Sequence, residues 1–320
     1  MKKVLGVGAA LVDLLVNTNE EWLLATGAPK GGMTLVDFSR LSGLLASVGD
    51  LVRVPGGSAC NTMVGLARLG GHAAFLSKIG YDELGRVFSE HLANSGVGSQ
   101  LRYSDEATGC VLSAVTPDAE RTMFSYLGAS DTFNSGDFDG STFEGFGLVY
   151  LEGYKAFDGE TFRTVLELAK AGGAETAVDF GSFGVVGACH GLFEELFAEG
   201  LIDLIFANEE EALAYTGKQE GEALAELSKL AKIAVVKLGA KGALISNAGV
   251  VTEVQVGKAK ALDTTGAGDL WAAGFLYGYL SGWSMDRAGE LASATANEVI
   301  QVKGAQIPDE GYERVKRLFG

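Results

Sequence analysis

Strand-like and helix-like patterns of hydrophobic positions alternate along the second half of the chain. Short apolar runs predict buried strands at residues 148–151, 177–180, 204–207 and 233–238. Helical periodicity predicts helices at residues 160–170, 191–198, 209–215 and 221–230. This alternation predicts an α/β fold with a doubly wound, mostly parallel sheet flanked by helices, whose ligands bind at the carboxyl ends of the strands.

The first half of the chain departs from this rhythm. An apolar run at residues 4–8 predicts a buried strand, and we expect Asp13 to lie at the carboxyl end of that strand. Two helical patterns, at residues 20–25 and 38–48, then interrupt the expected strand–helix order. Residues 108–127 predict a hairpin that turns at Pro117. We therefore expect an excursion from the main sheet early in the chain.

Residues 262–280 join a glycine-rich turn directly to a nearly all-apolar helix. Gly266, Ala267 and Gly268 can wind tightly enough to direct consecutive backbone NH groups at one point, and the helix dipole adds to their positive potential. Thr264 and Thr265 are suitable N-terminal caps. The turn is therefore a candidate anion-binding site.

Asp269 lies in the first turn of the same predicted helix. A carboxylate there can accept a proton from an attacking hydroxyl while the neighbouring amides stabilise charge on a phosphoryl group. The alternative is a capped core helix, because Gly274 and Gly278 indicate close packing and Trp271 indicates burial. The local pattern supports both interpretations.

A second glycine-to-helix junction spans residues 55–69. Gly57 permits close approach of the backbone to a ligand, Ser58 can cap the helix, and Asn61 presents an amide from the first turn. The alternative is an ordinary tight turn before an amphipathic helix.

Four residues stand just past the ends of predicted strands, where ligands bind in such a fold: Glu152, Asn208, Gly239 and Asp263. Asn208 and Glu211 could hold Mg²⁺ through water beside a phosphate. They could equally form a helix cap with an acidic residue three positions later. The two roles are compatible.

Composition narrows the class of protein. The 320 residues carry a formal charge of −16, which argues against nucleic acid and anionic membranes as partners. Three widely spaced cysteines without metal-ligand spacing favour a reducing cytoplasm. Asp13 interrupts the apolar run of a possible secretion signal, and no run reaches the ~20 residues needed to span a bilayer. We expect a soluble cytoplasmic protein.

Several common catalytic motifs are absent from the sequence. There is no GxxxxGK[ST], HExxH or GxSxG, and the third glycine of a dinucleotide fingerprint is replaced by Leu11. Asp179, Phe180 and Gly181 spell the DFG of protein kinases without its companion motifs, so we interpret that match as chance. Any phosphate is therefore handled by the glycine–helix junctions.

Five segments together closely resemble the ribokinase family, also called the PfkB sugar and nucleoside kinases. In the family's order they are GGSACNTMVGLARLGG (56–71), KIGYDELG (78–85), ANEEEA (207–212), KLGAKGA (237–243) and DTTGAGD (263–269). Each motif is modest, but five in order over nearly the whole chain are highly specific. The opening of the chain looks more like the bacterial adenosine kinase-like branch than like ribokinase itself.

The resemblance implies an ATP- and Mg²⁺-dependent kinase that phosphorylates a hydroxyl of a sugar-like molecule, and it allows a monovalent cation such as K⁺. It implies Asp269 as general base and the backbone of Gly266, Ala267 and Gly268 as anion hole. The implied substrate contacts are Asp13, Gly57 and Asn61, beside which we place Glu152. The implied nucleotide contacts are Asn208, Glu211, Lys237, Gly239, Gly242 and Asn297, with Glu211 holding Mg²⁺ through water. Lys237 stands where many relatives carry threonine.

The resemblance also implies a single ribokinase-like domain over residues 1–320, with a lid formed by two excursions at about residues 13–54 and 101–127. The first expectation for the substrate is a nucleoside such as adenosine. The alternatives are a free sugar such as ribose or fructose, or a keto-deoxy sugar acid, for which Arg121 is a candidate ligand. A catalytically silent sensor on the same fold is a further alternative, and both monomer and homodimer are compatible with the sequence.

Overall fold

The computed structural model describes residues 1–118 and 120–320. Its strands are β1 (Val4–Val7), β2 (Leu11–Asn17), β3 (Met33–Leu35), β4 (Val52–Gly56), β5 (Ala73–Leu76), β6 (Lys78–Gly80), β7 (Gly98–Ser99), β8 (Arg102–Ser104), β9 (Gly109–Val115), β10 (Arg121–Tyr126), β11 (Leu148–Glu152), β12 (Glu175–Asp179), β13 (Leu204–Asn208), β14 (Ile233–Lys237), β15 (Ala243–Asn247) and β16 (Val250–Val254). Its helices are α1 (Glu20–Thr26), α2 (Phe38–Ala46), α3 (Ser58–Leu69), α4 (Glu83–Asn94), α5 (Gly159–Ala171), α6 (Phe183–Ala198), α7 (Glu209–Thr216), α8 (Glu220–Leu227), α9 (Ala267–Leu280), α10 (Met285–Val299) and α11 (Asp309–Phe319).

The main sheet has nine strands in the order β16-β15-β14-β13-β12-β11-β1-β5-β7. Every pair from β7 to β14 is parallel, whereas β15 and β16 extend the sheet as an antiparallel hairpin. The predicted fold class, a doubly wound and mostly parallel sheet flanked by helices, is confirmed. Consequently the carboxyl ends of seven neighbouring strands lie along one edge, where ligands bind in such folds.

Both faces of this sheet are buried. In β13, Leu204 and Phe206 pack into the core beneath α9 and α10, while Ile205 and Ala207 pack into the core beneath α5, α6 and α8. Because helices cover both faces, the strands are almost continuously apolar, as the sequence pattern indicated. Within the described residues, the helices are all too short or too polar to cross a membrane.

A second sheet of five strands, in the order β3-β10-β9-β2-β4, stands beside the main one. It draws its strands from residues 11–56 and 109–126, which overlap the two predicted lid segments. Helices α1 and α2 cover part of it, with Trp22 against Phe124 at 6.1 Å between ring centroids. We call this unit the lid sheet.

The structure corrects two local predictions and adds a hairpin. Asp13 does not follow β1 but lies within β2, in the lid sheet. Strand β1 ends at Val7, and after three residues outside any strand the chain begins β2 at Leu11. The helix predicted at 191–198 begins at Phe183, and its first half was missed because an almost entirely apolar run has no helical period. The hairpin of β15 and β16 was not predicted.

Candidate active site

Polar side chains end four neighbouring strands of the main sheet. Glu152 and Asp179 are paired in register at the ends of β11 and β12, and Asn208 and Lys237 are paired at the ends of β13 and β14. Hydrophobic residues precede all four, so the change in polarity coincides with the edge of the core. The sheet thereby gathers two carboxylates, an amide and an ammonium group at one edge.

The carboxylate of Asp269, in the first turn of α9, is held by two side chains of α3. Ser58 Oγ donates to Oδ1 at 2.7 Å, and Asn61 Nδ2 donates to Oδ2 at 2.9 Å. Burial raises the pKa of Asp269 to about 6, against the opposing effect of these two hydrogen bonds. A carboxylate with such a pKa is ionised at neutral pH and is a suitable acceptor for a proton.

The N-terminus of α9 has no side-chain cap, which corrects the prediction for Thr264 and Thr265. Gly266 is the N-cap residue, with φ of 75°, and Thr265 Oγ1 donates instead to Asp263 at 2.6 Å. The amide of Ala267 donates to the carbonyl of Thr264 at 3.1 Å. Among the described residues, the amides of Gly268 and Asp269 have no acceptor, so these two NH groups are freer to bind an anion than the Ala267 amide, and the predicted anion hole stays a prediction.

The N-terminus of α3 approaches the backbone of another segment closely. Gly57 is its N-cap residue with φ of 102°, and a side chain there would collide with the carbonyl oxygen of Ala9. Ser58 does not cap the helix as predicted, because its hydroxyl is bound to Asp269. The first turn of α3 therefore holds the carboxylate of Asp269, which the first turn of α9 carries.

Asp13 faces this junction from β2. Its Oδ2 lies 3.0 Å from the position that a Cβ on Gly56 would occupy, one residue before Gly57. Burial raises the pKa of the Asp13 carboxyl, whereas the charge of Arg121 lowers it. Among the described residues no hydrogen-bond donor is paired with its carboxylate in this structure, so its oxygens remain available to hydroxyl groups.

Glu152 binds two segments of the backbone at once. Its two oxygens accept from the amide of Ala9 at 2.7 Å and from the amide of Ala59 at 3.0 Å. Burial raises the pKa of Glu152 to about 7, although both hydrogen bonds oppose that rise. A side chain on Gly8 would collide with this carboxylate. Glu152 thus joins the β1–β2 turn to the first turn of α3 through hydrogen bonds. Contact between Glu152 and a substrate stays a prediction.

Asn208 and Glu211 form a reciprocal capping box at the start of α7. Glu211 accepts from the Asn208 amide and from Asn208 Nδ2, each at 2.8 Å, and its own amide donates to Asn208 Oδ1 at 2.9 Å. Burial raises the pKa of the Glu211 carboxyl, and the charge of Asp179 adds to the rise. The cap interpretation is therefore realised in the structure.

This arrangement limits how Mg²⁺ would be held. No cluster of three acidic, histidine or cysteine side chains suited to a metal occurs in residues 1–118 and 120–320. Mg²⁺ usually keeps several waters and binds through one or two carboxylates together with substrate phosphates. The residues present fit an ion of that kind, held mainly by phosphate and water with Glu211 behind the water.

Lys237 and Asp179 form a buried ion pair, with Nζ and Oδ2 separated by 2.8 Å. Their side chains are 13% and 6% exposed, respectively. Burial alone would lower the pKa of Lys237, but the charges of Asp179 and Glu211 raise it, so the lysine is an ammonium ion at neutral pH. Lys237 Nζ also lies 3.1 Å from the position that a Cβ on Gly268 would occupy.

The remaining predicted nucleotide residues lie further along the chain from this edge. Gly239 and Gly242 bound a short 3₁₀ turn after β14, with φ of 54° and 101°. Asn297, on α10, donates from Nδ2 to the carbonyl of Gly257 at 3.1 Å. Their role in binding a nucleotide stays a prediction.

The predicted residues Asn61 and Asp269 are thus in direct contact. Asp13 lies beside Gly56, and Lys237 lies beside Gly268. Sequence reasoning missed Ser58 as a partner of Asp269 and dismissed Asp179 as part of a chance motif. Asp179 could have been found from its place as the last residue of a buried strand, the same signal that identified Glu152 and Asn208.

The comparisons with known proteins identify the family of the chain. The model of the pfkB family carbohydrate kinases matches residues 10–310. The chain belongs to the PfkB family. It is therefore a kinase that transfers a phosphoryl group to an alcohol, and this family uses ATP as donor.

Individual relatives of this PfkB kinase are moderately similar. A crystal structure of an adenosine kinase from Sinorhizobium meliloti is 33% identical, with a TM-score of 0.88 over 100% of this chain and 99% of that one. A probable sugar kinase from Rhizobium etli CFN 42 is 32% identical, with a TM-score of 0.89 over 99% and 98% of the two chains. A nucleoside kinase from Methanothermobacter thermautotrophicus is 28% identical over 269 residues, which are 82% of this chain and 84% of that protein.

Proposed function

We propose that this protein is an ATP-dependent nucleoside kinase that phosphorylates the 5′-hydroxyl of adenosine or a similar nucleoside in the cytoplasm. The observation that carries the proposal is the carboxylate of Asp269. Ser58 and Asn61 fix it beside two amides, of Gly268 and Asp269, that have no acceptor among the described residues. A base and an anion hole at adjoining positions are what phosphoryl transfer to a hydroxyl requires.

In the proposed reaction, the acceptor's hydroxyl oxygen attacks the γ-phosphorus of ATP. Asp269 takes the hydroxyl proton, the bond from phosphorus to the β-bridging oxygen breaks, and ADP leaves. The free amides of α9 stabilise the charge on the phosphoryl oxygens. Asp13, Gly57 and Asn61 contact the hydroxyl groups of the acceptor and hold it in line.

Asn208, Glu211, Gly239, Gly242 and Asn297 line the proposed nucleotide site. Bound Mg²⁺ would neutralise charge on the phosphates, and Glu211 would orient its water ligands. We also propose a dependence on a monovalent cation such as K⁺, which an assay in sodium and potassium buffers measures directly.

The choice of a nucleoside is supported by the relative named adenosine kinase, which matches along its whole length. A second candidate is a keto-deoxy sugar acid. Arg121 favours it, because this lid arginine reaches Thr265 at 3.1 Å and its buried Nε has no hydrogen-bond partner within the described part of the chain. A guanidinium in that position could bind a carboxylate.

The deciding experiment measures ADP release with ATP and Mg²⁺ across adenosine, inosine, ribose, fructose and 2-keto-3-deoxygluconate. The proposal expects turnover with adenosine at a kcat/KM well above that of every sugar. Activity on a free sugar but not on nucleosides would overturn the nucleoside assignment. Binding of adenosine without ADP release under any condition would instead indicate a sensor.

A further inference from the structure

Lys237 is a buried cation with unused hydrogen-bonding capacity at the centre of the site. Its ammonium group has three N–H donors, and the only hydrogen bond that it makes with the described residues is the one to Asp179. A buried donor without a partner is costly, so such groups usually serve a bound molecule or water. Two donors of Lys237 are therefore available to an anion.

The position of the ammonium group indicates which anion. Nζ lies 3.1 Å from the point that a Cβ on Gly268 would occupy, at the turn whose amides form the anion hole. Any residue larger than glycine would press on the lysine there. An anion bound at the amides of Gly268 and Asp269 would meet the ammonium group as well.

The charges facing Lys237 come from three different elements. Asp179 ends β12, Glu211 lies in the first turn of α7, and Asp269 lies in the first turn of α9. All three carboxylates act on the pKa of Lys237. The hydroxyl of Tyr150 also donates a long hydrogen bond, of 3.4 Å, to Asp179 Oδ2, the oxygen that pairs with Lys237. One cation thus stands among three anions, and its charge offsets part of their repulsion of a further anion such as ATP phosphate.

We propose that Lys237 is a catalytic residue of this kinase, whose ammonium group binds the transferring phosphoryl group beside the Gly268 amide. Asp179 is a positioning residue that anchors the ammonium group there. The proposal rests on the proposed function, since it assumes phosphoryl transfer at Asp269. Lys237 keeps its proton throughout, while the hydroxyl proton goes to Asp269 and ADP leaves as before. The competing explanation is a purely structural ion pair.

The test needs a variant that removes the cation without leaving a buried charge unpaired. Lys237→Met alone strands the Asp179 carboxylate and can fail to fold. The double variant Lys237→Met/Asp179→Asn removes both charges, and replacing a buried ion pair by neutral groups is often close to neutral for stability. Lys232→Met is the matched control, because Lys232 precedes β14 and pairs with Glu175 at the start of β12, at the opposite ends of the two strands that carry Lys237 and Asp179.

Two measurements separate the explanations. For the double variant we expect kcat to fall by about 10²–10³, the range for loss of one electrostatic contact to a transition state, with KM for the acceptor unchanged. We also expect the affinity for ADP with Mg²⁺ and fluoroaluminate, measured by calorimetry, to fall much more than the affinity for ADP with Mg²⁺ alone. Lys232→Met should leave both quantities at their native values.

Asp179→Asn tests the positioning role. It keeps the lysine but loses its anchor, so kcat and fluoroaluminate affinity should fall by about tenfold or more while the affinity for ADP is kept. Lys237→Arg keeps both a cation and Asp179, so its kcat should lie between that of the double variant and that of the native protein. A folded double variant whose kcat stays within threefold of native overturns the proposal and leaves the ion pair structural.

The proposed function fails separately from this inference. If the native protein phosphorylates a sugar and no nucleoside, the variants are measured with that sugar, and the Lys237 prediction is unchanged. If the native protein releases no ADP with any acceptor, the proposed function is wrong. In that case equal binding of ADP with and without fluoroaluminate by the native protein would also overturn the role of Lys237.

Discussion

At the scale of single residues, Asp269 combines two properties that a general base needs. Its pKa is raised to about 6 by burial, so it binds a proton more strongly than an exposed aspartate yet is ionised at pH 7. Its two oxygens are oriented by Ser58 and Asn61. Both hydrogen-bond donors lie on α3 and not on α9, which carries Asp269, so the proposed reaction would need α3 and α9 to be packed together.

Asp269→Asn should abolish most turnover while leaving binding of the acceptor nearly unchanged. An asparagine cannot accept the hydroxyl proton, and removal of a positioned base typically costs about 10² to 10⁴ in kcat. Initial rates of ADP release and calorimetric titration with the acceptor measure the two effects. Near-native turnover of this variant would show that Asp269 is not the base.

The pH dependence follows from the same carboxyl group. Because the base works only when ionised, kcat/KM should fall as the pH drops below an apparent pKa of about 6. Ser58→Ala removes a hydrogen bond that lowers this pKa, so the acidic limb should move to higher pH with little change in the plateau. Pre-steady-state or steady-state rates from pH 5 to 9 measure the limb, and an unshifted limb would contradict the assignment.

At the scale of elements, the first turn of α9 depends on a residue without a side chain. Gly266 adopts φ of 75°, and a Cβ there would lie 2.5 Å from the Cβ of Ala305. Gly282, just after the same helix, has the same φ of 75°, but a Cβ there would meet nothing within 4 Å. An alanine at Gly282 would therefore introduce backbone strain alone, whereas an alanine at Gly266 would introduce the same strain and a steric collision.

Gly282→Ala should lower the free energy of unfolding by about 1–2 kcal/mol, the cost of a left-handed conformation for a residue with a Cβ. Gly266→Ala should lower it by that amount plus about 1–3 kcal/mol for overpacking, and should also reduce kcat because the amides of the turn move. Urea unfolding measures the first quantity and ADP release the second. Equal destabilisation with native kcat in both variants would contradict the proposed role of the turn.

Sequence patterns predicted the elements that depend on local signals. The four parallel strands and the polar residues at their ends follow from apolar runs and their termination, and the glycine–helix junctions follow from composition. The prediction failed where the partner is remote. Ser58 was assigned to a local cap, but its hydroxyl binds Asp269, 211 residues away. A serine at the start of a helix can either cap that helix or bind a residue of another element. The packing of α3 against α9 decides between these roles for Ser58, and the local sequence does not contain that information.

At the scale of the whole molecule, Arg121 links the lid sheet to the site. From β10 it donates to Thr265 at 3.1 Å and to Ser113 at 3.2 Å, and it lies 3.6 Å from the carboxylate of Asp263. Asp263 and Thr265 belong to the turn that precedes the free amides of α9. The lid sheet therefore touches the proposed anion hole through a charged side chain, in addition to its covalent connections.

Arg121→Ala should loosen this turn and reduce turnover, because the lid would no longer hold the residues before α9. We expect faster hydrogen exchange at the amides of Thr265 and Ala267, which are now bound to Asp263 and Thr264, together with a lower kcat. Lys30→Ala is the matched control, since Lys30 pairs with Glu20, Asp118 and Glu120, all within the lid. Exchange mass spectrometry should show the change at residues 263–268 in the arginine variant alone. If the arginine variant leaves that segment unchanged, Arg121 has no part in holding the turn.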